Sequence, residues 1–110
     1  MLTHQITLQA AIDFTKRFRE RPGPDLPICE TYEAASVLVL LNQPACTSLR
    51  LYLGRKENGQ ICSVLVGVDA LGRDMLPAQL QDLPANDNGI LLEDAFHCPP
   101  ICPPTSPLNQ

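Results

Sequence analysis

Residues 48–57, SLRLYLGRKE, run into Asn58-Gly59 and then into residues 60–69, QICSVLVGVD, and this stretch decides the fold. Asn-Gly between a leucine-rich run and a β-branched one is the favoured two-residue type I′ hairpin loop. With Glu57 facing Gln60, the register sets Arg55 opposite Cys62, Leu53 opposite Val64, Leu51 opposite Val66 and Leu49 opposite Val68, all on one face. The face made by Leu49, Leu51, Leu53, Val64, Val66 and Val68 is the expected core. The other face pairs Lys56 with Ile61, Gly54 with Ser63, Tyr52 with Leu65 and Arg50 with Gly67, a mixed surface suited to solvent or to a contact. A slip of one residue would exchange the faces of one strand and destroy this match.

Downstream, Asp69-Ala70-Leu71-Gly72-Arg73-Asp74 reads as a tight turn with Gly72 at a positive φ, feeding a short third strand at Arg73 to Leu76. Residues 77–89, PAQLQDLPANDNG, have no hydrophobic period and two prolines, which predicts a mobile loop. Residues 89–96, GILLEDAF, read as an edge strand that Glu93 and Asp94 would protect from aggregation. Upstream, residues 8–21 gather Leu8, Ala11, Ile12, Phe14, Thr15 and Phe18 on one side of a helix, with Thr7 as N-cap and Pro22-Gly23-Pro24 as the stop. The basic run Lys16, Arg17, Arg19 and Arg21 complements the negative end of that helix and needs no other partner. A second helix is expected over residues 32–42, YEAASVLVLLN, with Thr31 as N-cap and Pro44 beyond its end. It is apolar almost all round, so it must be covered on more than one side, by the rest of the fold or by another copy of the chain.

The 110 residues fit one domain of modest core, and 45% apolar against 18% charged residues is globular composition. The formal charge of -4 is uneven: residues 69–110 carry Arg73 against six acids. An acidic C-terminal part argues against nucleic acid as a partner. Neither a basic-then-apolar leader nor an apolar run of bilayer length is present, so a cytoplasmic protein without membrane contact is expected. The five cysteines would then stay reduced, without a structural disulfide. The expected organisation is a single α+β domain over residues 1–96, interrupted by the loop at 77–89, and a Pro- and Cys-rich extended tail over residues 97–110.

That tail, His97-Cys98-Pro99-Pro100-Ile101-Cys102-Pro103-Pro104, is the most unusual feature. His97, Cys98 and Cys102 are suitable ligands for zinc or copper(I), and a Cys-Pro pair beside a histidine could serve haem. Against a single metal, a polyproline II helix rises ~3.1 Å per residue and would hold the two sulfurs roughly 12 Å apart. The same tail contains Pro100-x-x-Pro103, the extended form that aromatic grooves bind, and it could equally dock on its own domain. Cys29, Cys46 and Cys62 sit in or beside apolar segments and read as small core residues, although Arg55 opposite Cys62 could activate that thiol. Residues 54–60 imitate a phosphate loop but lack its Lys-Ser/Thr ending, and Asn86-Asp87-Asn88-Gly89 imitates a calcium loop with Pro84 and Ala95 at required ligand positions. Glu93 and Asp94, adjacent on a strand, point to opposite faces and cannot act together as acid and base.

The segments LRLYLG at 49–54, NGQ at 58–60 and LVGVDALGRD at 65–74, with CPPICP at 98–103, resemble a group of small bacterial proteins of uncharacterised function. The likeness runs from about Thr7 to Pro104 and implies a bacterial, cytosolic source. It brings no catalytic or binding residue. The residues themselves predict two N-terminal helices packed on an antiparallel meander of three or four strands. The expected role is that of a non-enzymatic module binding a protein partner or itself, as a homo-oligomer, through Tyr52, Leu65, Val39, Leu40, Pro100 and Pro103. The alternative is a thiol site for zinc or haem at His97, Cys98 and Cys102, the protein otherwise needing no cofactor.

Overall fold

A computed structural model describes residues 2–21, 23, 26–77 and 89–110. It is α+β, with elements in the order α1 (Leu8–Glu20), β1 (Cys29–Thr31), α2 (Ala34–Leu41), β2 (Ser48–Arg55), β3 (Ile61–Val68), β4 (Leu91–Leu92) and β5 (Phe96–Cys98). The chain forms two units, one of Met1–Glu30 with Phe96–Gln110, the other of Thr31–Ala95. Residues 96–110 thus group with the N-terminal segment, a different partition from a domain over 1–96 with a separate tail. Most of the loop expected at 77–89 lies outside the described residues.

The Thr31–Ala95 unit is built on the antiparallel order β2-β3-β4. The hairpin forms where expected, but its register is shifted by one: Leu49 faces Gly67, Arg50 faces Val66, Leu51 faces Leu65, Tyr52 faces Val64, Leu53 faces Ser63 and Gly54 faces Cys62. The turn explains the shift. Asn-Gly serves a two-residue type I′ loop, but it also suits the last two positions of a three-residue loop closed by a left-handed glycine. Here the second applies: Lys56 N–H donates to Gln60 C=O at 2.8 Å, Gly59 N–H to Lys56 C=O at 2.9 Å, and Gly59 has φ 91°. Asn58 supports the loop by accepting from Gln60 N–H at 3.0 Å.

The shift overturns the expected core face. Leu49, Leu51 and Leu53 share their face with Ser63, Leu65 and Gly67, and all three leucines are exposed. The core belongs to β3 instead, where Leu65 and Val66, neighbours on opposite faces, are only 5% and 1% exposed. As the middle strand, β3 is flanked on one side by β2 and on the other by two short pieces. One is β4, pairing Leu91 with Val66 and Leu92 with Leu65; the other is an antiparallel bridge from Asp74 to Val68. The expected third strand at Arg73 to Leu76 is therefore reduced to this bridge and the bond from Met75 N–H to Gly67 C=O at 2.9 Å. The turn before it forms as read: Gly72 has φ 80°, and the Asp69 carboxylate accepts from the Leu71 and Arg73 N–H groups at 2.9 and 3.0 Å.

Helix α2 packs against β3 and β4. Leu40 is its fully buried anchor, and Glu33 rather than Thr31 precedes the first turn, because Thr31 ends β1. Gly67 lets the segment after α2 approach: a Cβ there would meet Cys46 Sγ at 3.0 Å and Gln43 Nε2 at 3.1 Å. Tyr32 ties the entry to α2 down on β3, its hydroxyl donating to Ser63 C=O at 2.5 Å.

In the other unit, α1 starts on Thr7, whose hydroxyl accepts from Ala10 N–H at 3.1 Å, and ends at Arg21, whose N–H donates to Phe18 C=O. No residue of α1 is buried, and Leu8, Phe14 and Phe18 remain exposed. Of the two helices expected on the meander, α2 is the one that meets the sheet within its own unit. Arg19 Nη1 donates to Leu108 C=O, joining α1 to the turn that Ser106 and Asn109 close near the C-terminus. Strands β1 and β5 form a two-stranded sheet.

Residues 97–110 do not form a continuous extended tail. After β5 the chain turns, with Ile101 N–H donating to His97 C=O at 2.9 Å. The turn brings the Cα atoms of Cys98 and Cys102 to 4.5 Å, and the two form a disulfide, contrary to the expectation of free thiols throughout. Prolines fix their own φ but do not keep a chain straight, so the ~12 Å separation of a polyproline helix does not apply.

Candidate functional site

Strand β2 lies at the edge of its sheet and exposes a row of leucines on one face: Leu49 at 46%, Leu51 at 54% and Leu53 at 79%. Exposed edges in natural sheets are commonly blunted by lysine, proline or a bulge. Between Ser48 and Gly54 the one charge is Arg50, and it is engaged on the opposite face. There Arg50 Nη1 donates to Asp74 Oδ1 at 2.7 Å, and Tyr52 OH donates to Asp74 Oδ2 at 2.7 Å. Asp74 stands opposite Val68, so these bonds reach across the strand pair on the face of Val66.

The electrostatics of this clasp follow from its hydrogen bonds. The Tyr52 hydroxyl, and after it the Arg50 guanidinium, hold the Asp74 carboxyl below the usual carboxylate range. The bond to Asp74 in turn pushes the Tyr52 hydroxyl and the Arg50 guanidinium up. Beside the hairpin loop, Lys56 reaches Glu93 at 3.2 Å and Asp94 at 3.5 Å, and its ammonium is held up chiefly by Glu93. Glu93 and Asp94, expected to guard a free edge, are thus engaged with the end of β2. The clasp has no local signature in the sequence, because Asp74 follows a turn more than twenty residues beyond Arg50 and Tyr52.

The six residues expected to make contacts fall into different environments. Val39 is exposed on α2, and Pro100 and Pro103 are exposed after β5. Tyr52 is half-exposed and spends its hydroxyl on Asp74. Leu40 and Leu65 are buried in the Thr31–Ala95 unit, where they hold α2 and β3 and offer nothing to a partner.

The thiol residues meet in the other unit. His97 Nδ1 lies 2.6 Å from Glu30 Oε2, an ion pair when the imidazole is protonated. His97 Nε2 is buried and has no hydrogen-bond partner among the described residues. Cys98 is 1% exposed whereas Cys102 is exposed, and joined as a disulfide neither sulfur is a thiolate that could bind a metal. Among the described residues, no group of three or more His, Cys, Asp or Glu could hold a metal ion. Cys29, Cys46 and Cys62 are free. Cys62 faces Gly54, not Arg55, so the expected activating contact is not formed. No sequence signal could have joined Glu30 to His97, since the pairing of β1 with β5 brings them together from distant parts of the chain.

Among the described residues, no helix is long and apolar enough to cross a membrane. Compared with known proteins, the chain matches no family model, no curated protein and no solved structure.

Proposed function

We propose that this chain is a non-enzymatic interaction module that associates with a second copy of itself through the open edge of β2. The observation that carries this reading is the exposed leucine row on an edge strand. The backbone supports it as well. Gly67, opposite Leu49, gives its carbonyl to Met75 on the far side of β3. By the alternation of an antiparallel ladder, Leu49, Leu51 and Leu53 then turn their own N–H and C=O groups outward. Among the described residues, no strand pairs with β2 on that side, so the residues with exposed apolar side chains are also those whose backbone groups have no partner strand.

A two-fold axis through Leu51, perpendicular to the sheet, gives a self-complementary register. Leu49 then faces Leu53 of the second copy, Leu51 faces its own equivalent, and on the other face Arg50 meets Tyr52, so that no like charges oppose one another. The leucines form a continuous six-residue cluster across the joint, and the sheet becomes six-stranded. Hydrogen-bonded antiparallel pairs have Cα atoms about 5.5 Å apart, within the span of a disulfide. Leu51→Cys should therefore form a covalent dimer under mild oxidation, using the unsubstituted chain as control for its native cysteines. A Leu51→Cys chain that cross-links no more than the control at high micromolar concentration would remove the proposal.

A further inference from the structure

The turn after β5 carries a second reading, independent of the β2 edge. Cys98 and Cys102 close a ring of five residues, and the disulfide joins the end of a strand to the turn that follows it. A ring this short restrains little of the unfolded chain, so the bond is poorly placed to act as a staple. The turn is also closed without it, through the 2.9 Å bond from Ile101 N–H to His97 C=O, and Cys98 is anchored by its carbonyl accepting from Ile28 N–H at 2.7 Å. Neither restraint involves a sulfur atom, so reduction by itself removes neither, and the two thiols would be left adjacent. The pair is asymmetric as well, with Cys98 buried and Cys102 exposed. Next to Cys98, His97 keeps Nδ1 against Glu30 while its Nε2 is buried and, among the described residues, without a hydrogen-bond partner. Folded proteins leave few such atoms, and a redox or catalytic role is one of the reasons they do.

We infer that Cys98 and Cys102 form a reversible thiol–disulfide exchange site whose partner is an external thiol, either glutathione-class or a protein dithiol. The partner's thiolate attacks Sγ of Cys102, forming a mixed disulfide there. The Cys98–Cys102 bond breaks, and its electron pair leaves on Cys98, which takes up a proton. A second thiolate then attacks the partner's sulfur in the mixed disulfide and frees Cys102. Two electrons and two protons pass to this chain, and the partner thiols leave as a disulfide. Oxidation runs the same steps in reverse.

The test equilibrates the full chain with a series of reduced and oxidised glutathione mixtures, quenches in acid, alkylates, and locates free thiols and adducts by peptide mass. Reversible conversion of Cys98 and Cys102 within the series, with the adduct on Cys102, is the expected result. In single variants, Cys98→Ser should react with glutathione disulfide at least about tenfold faster than Cys102→Ser, because exposure governs access to the sulfur. A bond that stays closed throughout the series and opens only on denaturation makes the disulfide structural and overturns the inference. An adduct on Cys98 overturns the direction of attack. Adduct mapping uses the unsubstituted chain, so it decides even if neither variant folds.

Discussion

Replacing Leu53 by lysine tests the β2 edge most directly. Leu53 is 79% exposed, the largest value in the leucine row, so the substitution removes almost nothing from the isolated fold. Its effect on monomer stability should stay within about 0.5 kcal/mol, as for an ordinary surface position. In the self-paired sheet the same side chain is covered by Leu49 of the second copy. Burying a whole leucine is worth about 1.5–3 kcal/mol, so covering the exposed part of Leu53 contributes about 1–2 kcal/mol per protomer. A two-fold joint contains the position twice, which gives about 2–4 kcal/mol of lost association before any repulsion by the new ammonium groups. At 1.4 kcal/mol per factor of ten, the dimer dissociation constant should rise about thirty- to seven-hundred-fold. Sedimentation velocity over a concentration series measures it, with a thermal melt of the dilute monomer as the control for folding. A dissociation constant unchanged within about twofold, on a normally folded chain, would refute the reasoning.

Three further outcomes follow from local geometry. Gly59→Ala, at φ 91° with no atom within 4 Å of the added Cβ, should destabilise the Thr31–Ala95 unit by about 1–2 kcal/mol through backbone strain alone. Asn58→Ala should cost less, about 0.5–1.5 kcal/mol for its bond to Gln60 N–H, and urea melts showing the reverse order would restore a type I′ loop. The Asp74 carboxyl titrates below its unfolded value, so its contribution to stability is full above about pH 5 and is lost as the pH falls through the folded value. The unsubstituted chain should lose melting temperature as the pH falls below about pH 5, where Asp74→Asn changes less, and parallel acid profiles would dismiss the clasp. Cys102→Ser, which opens a five-residue ring, should cost about 2 kcal/mol by chain entropy, and a loss above about 4 kcal/mol in denaturant melts would mark the disulfide as a main structural support.

What could be read from the sequence was whatever neighbouring residues decide among themselves. Thr7 caps α1, the Asp69 to Asp74 turn forms around Gly72, and the hairpin pairs its two strands, each through contacts a few residues apart. The register was not decided locally, because Asn-Gly fits two loop lengths and the matched row of leucines and valines favoured the shorter. That preference assumed one buried face. In β3, residues on both faces are buried, Leu65 on one and Val66 on the other, so matching β2 to a single face gains nothing. The disulfide was missed for a related reason: the proline content set the backbone type of residues 99–104 but not the direction of the turn.

The leucine row carries the sharper lesson. Period-two alternation at Leu49, Leu51 and Leu53 marks an apolar face, but a pattern cannot say what, if anything, covers it. Read as an intramolecular core, the three leucines conflict with their exposure of 46–79%. Read as half of a two-fold joint, they are covered with no change of residue or backbone, because the strand that would cover them is identical to their own. The two readings differ in one measurable respect. A core leucine replaced by lysine unfolds a monomer at any concentration, whereas a joint leucine replaced by lysine leaves the monomer folded and removes only the concentration dependence of its association.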